Sequence, residues 1–478
     1  MLMKSNTTRH GSRLRSLRVA AVAFLTLGSV MVGGSMSSAA GGNSTQIVYQ
    51  VNPLAVQATS STSVNGFSPG YCVKYYKLAC YSPQIFHTAY QIPWQVNGQW
   101  AGYGEQVAII DAYGSPTVAS DLATYSKAFG LPPANLHVYY PSGQPTYNPL
   151  QHAGETGWAE ETSLDVQTVH GLAPGATINL IVAASPNGND LNVAENYAIT
   201  NHLGNVMSMS FGAPEAAIAG GGNNLQLQQA DAIYQQAAQL GVSVFASSGD
   251  GGATNGPLYT YANALFPASD PYVTSTGGTD LFVAADKSVT STSGKYSSET
   301  AWNDFVASTC PFGCAYGPFG ATGGAPSSVF SAPSYQSQAS GMAARTTSDV
   351  SFNASVYTAT MIYLGFLGGA NNGFYFFGGT SESSPSWAAI TSILDQAAGQ
   401  PLGFMNPTLY GLAKNRASYG ADFHDVTVGS NIDFSVSSAG YNADVGYDLP
   451  TGLGTPIVTG LLGSLAAPGA SWSLTPLS

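Results

Sequence analysis

A chain of 478 residues is long enough for one large catalytic domain or two smaller ones. Only 8% of it is Asp, Glu, Lys or Arg, against about 25% in ordinary domains, and its formal net charge is −12. Such an acidic, charge-poor chain makes a poor partner for nucleic acid or anionic lipid.

The N-terminus reads as a secretory signal peptide over residues 1–40. MLMKSNTTRHGSRLRSLR holds five of the 13 Lys+Arg, VAAVAFLTLGSVMV is apolar but too short to span a bilayer, and SSAA supplies a cleavage site after Ala40. No later stretch is long and apolar enough for a membrane span, so no membrane association is expected once the signal is removed. Eight cationic side chains then remain against 25 acidic ones. In acid the carboxylates neutralise, few ion pairs are lost, and the scarcity of cations limits self-repulsion. The composition therefore permits an acidic exterior, although a Gly/Ser/Tyr-rich secreted protein of any kind would fit it equally.

Residues 41–80 are polar and read as a short leader. Cys72, Cys80, Cys310 and Cys314 suggest two local disulfides in a secreted chain, with Cys72–Cys80 and Cys310–Cys314 the natural pairing. From residue 81 the texture is globular. EQVAIIDAYG reads as a buried strand, TVASDLATYSKAF as a helix, GWAEETSLDVQTVHGL as a helix with a Gly stop, and ATINLIVAA as a strand. NNLQLQQADAIYQQAAQLG is a helix and VSVFAS a strand. Alternating strands and helices argue for an α/β fold with a mainly parallel sheet covered on both faces. Residues 280–378 are looser and suit long surface loops and hairpins.

Three places offer chemistry. Glu161 and Asp165 stand at i, i+4 on one helix, so both carboxylates share a face. They sit either in water or as a pair sharing a proton, and Glu160 beside them blurs the assignment. Asp250 follows a strand in SSGDGG, as a turn aspartate or an acid aimed into a cleft at the sheet edge. FYFFGGTSESSP places Ser381 between a strand and a helix, as an N-cap or as a nucleophile beside backbone N–H groups. The esterase elbow G-x-S-x-G does not match, because Ser383 stands where its second Gly would be.

A nucleophilic serine needs a base. His87, His137, His152, His170, His202 and His424 all lack a suitable local setting. At roughly pH 3.5 an imidazole of pKa ~6.5 is neutral only about one part in a thousand, whereas a carboxylate of pKa ~4.3 is still substantially ionised. A carboxylate base would match an acidic working pH.

An ordered set of stretches is similar to the sedolisin family of serine-carboxyl peptidases, secreted acid-acting relatives of subtilisin. It comprises VAIIDAYGSPT, GWAEETSLDVQTVHGLAPGA, MSMSFGAPE, SSGDGG, FPASDPYVTSTGGTDL, ETAWN, SAPSYQ, GGTSESSP and GYDLPTGLGTP, over roughly residues 81–465. The resemblance implies a subtilisin-like three-layer fold over residues 81–470 and a Ser-Glu-Asp triad. Ser381 would be the nucleophile, Glu161 the base, Asp165 its orienting partner, and Asp250 the oxyanion donor. It also implies a structural calcium ion. The carboxylates of Asp425 and Asp448 and the carbonyls of Val426, Asp444 and Gly446 would hold it, although the family commonly has Gly at the position of Asp444. The expected enzyme is a secreted, monomeric endopeptidase acting on polypeptides. Family members usually carry a folded pro-segment of well over a hundred residues, so the short leader here leaves maturation open. Two other readings compete: a subtilisin-type peptidase using Asp111, His152 or His170, and Ser381, and a catalytically silent binding protein on the same scaffold.

Overall fold

The alternating strand and helix runs build a parallel sheet in the computed structural model, which describes residues 46–477 apart from 149–153, 290, 307 and 309. The signal segment and His152 lie outside the described residues. In chain order the elements that matter here begin with β1 (Leu54–Thr59), α1 (Pro69–Tyr76), β2 (Ala79–Tyr81), β3 (Gln106–Ala112), α2 (Val118–Phe129) and β4 (Asn135–Tyr139). There follow α3 (Glu155–Leu172), β5 (Thr177–Ala183), α4 (Gly188–Thr200), β6 (Val206–Met209), α5 (Leu225–Gln239) and β7 (Ser243–Ser247). The last are β8 (Thr274–Val283), β9 (Tyr296–Ala301), β10 (Val350–Asn353), β11 (Thr358–Leu364), β12 (Gly373–Gly378) and α6 (Thr380–Ala398).

The main sheet runs β4-β5-β3-β6-β7-β8, all parallel. Two further strands pair with β8, β10 in parallel and β9 antiparallel. After β3 the chain moves outward to β4 and β5, then returns to β6 on the other side of β3. Ligand sites of open α/β sheets gather at such a reversal, outside the carboxyl ends of the strands.

Strand alternation sorts the two faces. Val107 and Ile109 of β3 pack with Val166 and Val169 of α3 and Trp387 and Ile390 of α6. Ala108, Ile110 and Ala112 pack on the opposite side with Leu191, Ala194 and Ala198 of α4 and Leu227, Ala230 and Tyr234 of α5. The result is the three-layer, subtilisin-like arrangement expected of an α/β chain.

Two sequence expectations are revised. The stretch 280–378 does contain exposed loops and a hairpin, β11 with β12, but part of it is core. Strands β10, β11 and β12 are buried throughout, and β10 joins the main sheet. Small Ser, Thr and Gly residues pack inside, where a hydropathy reading sees only polarity. The polar leader is also built into the domain. In a second sheet of order β1-β12-β11-β2, β1 pairs antiparallel with β12 and β2 pairs parallel with β11. Cys72–Cys80 and Cys310–Cys314 are both bonded, the first linking α1 to β2. No described helix is long and apolar enough to cross a membrane.

Candidate active site

Strand β12 delivers Ser381 to the mouth of α6. The helix starts at Thr380, capped by Gly379 rather than by a serine, and Pro385 lies inside it. Proline has no N–H for the carbonyl four residues back. That carbonyl belongs to Ser381, and the Ser210 hydroxyl sits 3.1 Å from it. Gly379 has φ +111°, and a Cβ there would lie 2.9 Å from Asp250 Oδ2, so both backbone and space demand glycine.

Helix α3 brings Glu161 and Asp165 beneath Ser381, both fully buried. The i, i+4 pair is therefore not a solvated face. Ser210, which follows β6, links the parts. Its hydroxyl lies 2.8 Å from Asp165 Oδ1, and its carbonyl accepts from Ser381 Oγ at 3.4 Å. A protonated Asp165 would donate to Ser210 and free that hydroxyl for the Ser381 carbonyl. Burial does raise the Asp165 carboxyl well above its usual range, with Asp111 and Glu161 adding repulsion. Glu161 is raised in the same way, by burial first; the nearby Ser381 hydroxyl lowers it, and Asp111, Asp250 and Glu160 raise it. Neither Glu161 oxygen has a hydrogen-bond partner among the described residues. The ordinary carboxylate pKa assumed from the sequence thus does not hold at Glu161. Glu160 is only partly buried and its carboxyl is pushed up to about 7 by desolvation.

Asp250 follows β7 at the carboxyl edge of the sheet. Its Oδ1 accepts from both the Thr380 N–H and the Thr380 hydroxyl, each at 2.7 Å. Burial raises it to about 6 against those two hydrogen bonds. Its remaining oxygen faces Gly379, two residues before Ser381.

Asp111 is the site residue that sequence reasoning misassigned. It was considered only as the partner of a histidine. In β3 it shares the odd parity of Val107 and Ile109, so it points at α3, where its charge bears on both Glu161 and Asp165. It is fully buried, has no hydrogen-bond partner by distance and angle, and its carboxyl is raised well above the usual range by burial. Strand parity was the available signal.

No described histidine joins this group. His87 bonds the carbonyls of Ile92 and Gly171 and stacks on Trp94 at 3.4 Å. His170 Nε2 reaches the Pro132 carbonyl at 3.0 Å, and His424 stacks on Tyr296.

In the C-terminal region, Asp425 accepts from the Gly446 N–H at 3.1 Å on both oxygens, and Asp448 accepts from the N–H groups of Asp444 and Thr451. Asp448 is raised to about 7, by burial first and partly by Asp425 nearby. A separate cluster of possible metal ligands, Asp304, Cys310 and Cys314, is also present. Its two sulfurs are bonded to each other, which removes them as thiolate ligands.

A serine at a helix mouth, backed by buried acids and flanked by an acid at the sheet edge, is a constellation of the subtilisin architecture with carboxyls in place of imidazole. Residues 147–431 match the subtilase family, and the chain belongs to it. Within that family it is a sedolisin- and kumamolisin-like member. It is 33% identical to kumamolisin of Bacillus sp. (strain MN-32) over 403 residues, covering 80% of this chain and 63% of that protein. It is 32% identical to sedolisin of Pseudomonas sp. (strain 101) over 364 residues, covering 73% and 56%. The chain thus spans less than two thirds of either relative. The structure of Pseudomonas sedolisin, a serine-carboxyl proteinase complexed with two molecules of pseudo-iodotyrostatin, superposes with a TM-score of 0.67 at 28% identity. That match covers 81% of this chain and 98% of that one.

Proposed function

We propose that this chain is a secreted serine-carboxyl endopeptidase that works in acid. The observation that carries the reading is the convergence of Ser381, Glu161 and Asp165 with no described histidine beside them. In the proposed cycle, ionised Glu161 takes the Ser381 proton as Oγ attacks a peptide carbonyl. Asp165 holds the base side through Ser210 and its charge coupling to Glu161. Protonated Asp250 donates to the tetrahedral oxyanion, together with backbone N–H groups at the α6 mouth. The amine leaves with the proton from Glu161, and water then hydrolyses the acyl-enzyme. Asp111 tunes the proton shared among the buried acids.

A structural cation is part of the proposal. Asp425 and Asp448 are drawn together with no cationic side chain paired to either among the described residues. The carbonyls of Val426, Asp444 and Gly446 accept none of the backbone hydrogen bonds found there. This oxygen-only set suits calcium, which would neutralise the two carboxylates and tie down the 444–448 turn.

The test is cleavage of a denatured protein in acid. Ser381→Ala should abolish it with the circular dichroism spectrum unchanged. Retention of most activity by Glu161→Gln would show that the base is wrongly assigned.

A further inference from the structure

Helix α6 opens on Thr380, whose N–H is one of the first-turn amides that no carbonyl of the helix itself can serve. That amide points at Asp250. The Thr380 N–H and the Thr380 hydroxyl both reach the same carboxyl oxygen, Oδ1, each at 2.7 Å. The hydroxyl oxygen has a further partner, since it accepts the Gly249 N–H at 3.1 Å. Three hydrogen bonds thus join the residue before the nucleophile to the turn that carries the oxyanion acid.

This arrangement decides which way the hydroxyl points. An amide N–H can only donate, so Gly249 takes up a lone pair of Oγ1 and the single hydroxyl proton is left for Oδ1. An Asp250 proton placed on Oδ1 and aimed back at Thr380 would force the hydroxyl to find another acceptor. None is found for it among the described residues. With the proton on Oδ2, on the Gly379 side, every donor has its acceptor. The Thr380 rotamer is held as well. The residue is buried, and its methyl packs over Gly278 of β8, where an added Cβ would lie 3.3 Å from it. A β-branched side chain has few χ1 alternatives to escape to.

Resting on the peptidase reading above, we propose that Thr380 is a positioning residue for the oxyanion acid: its N–H and hydroxyl bind one oxygen of Asp250 and so hold the carboxyl proton on the other. Oδ1 is kept as the accepting oxygen, and the O–H is presented on the free side whenever the acid is protonated. The same bonds bear on when that is. Burial raises Asp250 to about 6, and the two Thr380 bonds pull against it, because each favours the carboxylate. Thr380 therefore gives up some retention of the proton in exchange for its placement. Glu161 on α3 is the titratable group whose charge couples to Asp250. The 320–323 segment, bonded to the Asp250 carbonyl through the Ala321 N–H, is Gly-Ala-Thr-Gly and carries no charge. No cationic side chain is paired to Asp250 among the described residues.

The experiment measures kcat on a chromogenic peptide from about pH 3 to about pH 8 for the full chain and for Thr380→Val, Thr380→Ala and Thr380→Ser, with thermal midpoints alongside. Thr380→Val keeps the shape and the N–H but removes the hydroxyl. Its acid plateau should fall about tenfold, short of the roughly 10²–10³ lost with a whole oxyanion donor. Its upper limb should move to higher pH by about one unit, because a bond to the carboxylate is gone. Simple loss of packing would lower activity without raising that limb. Thr380→Ser returns the hydroxyl and should bring the limb back toward the parent position. Thr380→Ala supplies the same contrast with Thr380→Ser if Thr380→Val does not fold. An unmoved limb in the variants lacking the hydroxyl, whatever their plateau, would overturn the proposal. So would a limb displaced as far in Thr380→Ser as in Thr380→Ala. A parent chain that is folded yet cleaves no peptide anywhere in the range would instead overturn the peptidase reading.

Discussion

Under the proposed mechanism Asp250 sets the upper pH limit of peptide cleavage, and the perturbation that exposes this is Asp250→Asn. Its Oδ1 is occupied by two donors from Thr380, so a bond to the oxyanion must come from a proton on the other oxygen. Burial places its pKa at about 6. The protonated fraction is then about 0.99 at pH 4, about 0.5 at pH 6 and about 0.09 at pH 7. Turnover should fall roughly elevenfold from the acid plateau to pH 7 and about tenfold per unit above it. The floor is the loss of one oxyanion donor, about 10²–10³ in kcat. An amide donates at every pH, so Asp250→Asn should keep a plateau within about tenfold of the parent and lose the decline centred near 6. The assay is kcat on a chromogenic peptide from about pH 3 to about pH 8, each reading short enough to precede any unfolding. A variant that still declines around pH 6 would show that another group carries that proton.

Asp111→Asn removes a like charge beside Glu161 and Asp165, so the acid side of the kcat/KM profile should move to lower pH; an unmoved limb would disconnect Asp111 from the base. Glu195 on α4 is buried, accepts from the Tyr234 hydroxyl at 3.0 Å, and titrates at about 8 instead of 4.5. Because the folded-state pKa is the higher one, stability present below pH 4.5 is lost as pH rises toward 8. By pH 7 the loss is about 3 kcal/mol, which Glu195→Gln should abolish in urea midpoints compared between acidic and neutral pH. Calcium at about a hundred times its Kd should raise Tm by about 3 °C in a domain this size. Chelation or Asp448→Asn should remove that increment, as read by differential scanning calorimetry.

The layered fold was legible in the sequence because β3, β5 and β7 are short apolar runs and α2 and α5 carry clear helical periods. The i, i+4 acids and the GGTSESSP turn were legible as well, since their spacing survives any tertiary context. Other features required three dimensions. Asp111 looked like the aspartate of a histidine system until strand parity set it against α3. Pro385 sits inside α6, where Ser210, distant in sequence, serves the carbonyl that the proline leaves open. The polar stretch 41–80 gave no hint that Ile47, Tyr49 and Leu54 find partners more than a hundred residues away. The carboxylate pKa values also depend on burial that composition does not reveal.

Strand β12, which leads into the turn before Ser381, is hydrogen-bonded on both flanks, by β1 on one side and β11 on the other. Loss of residues 54–59 would turn β12 into a bare margin, with unpaired amides along Phe374–Phe377 ready to recruit a neighbouring chain. The polar segment ahead of residue 81 is thereby part of what keeps the mounting of Ser381 rigid.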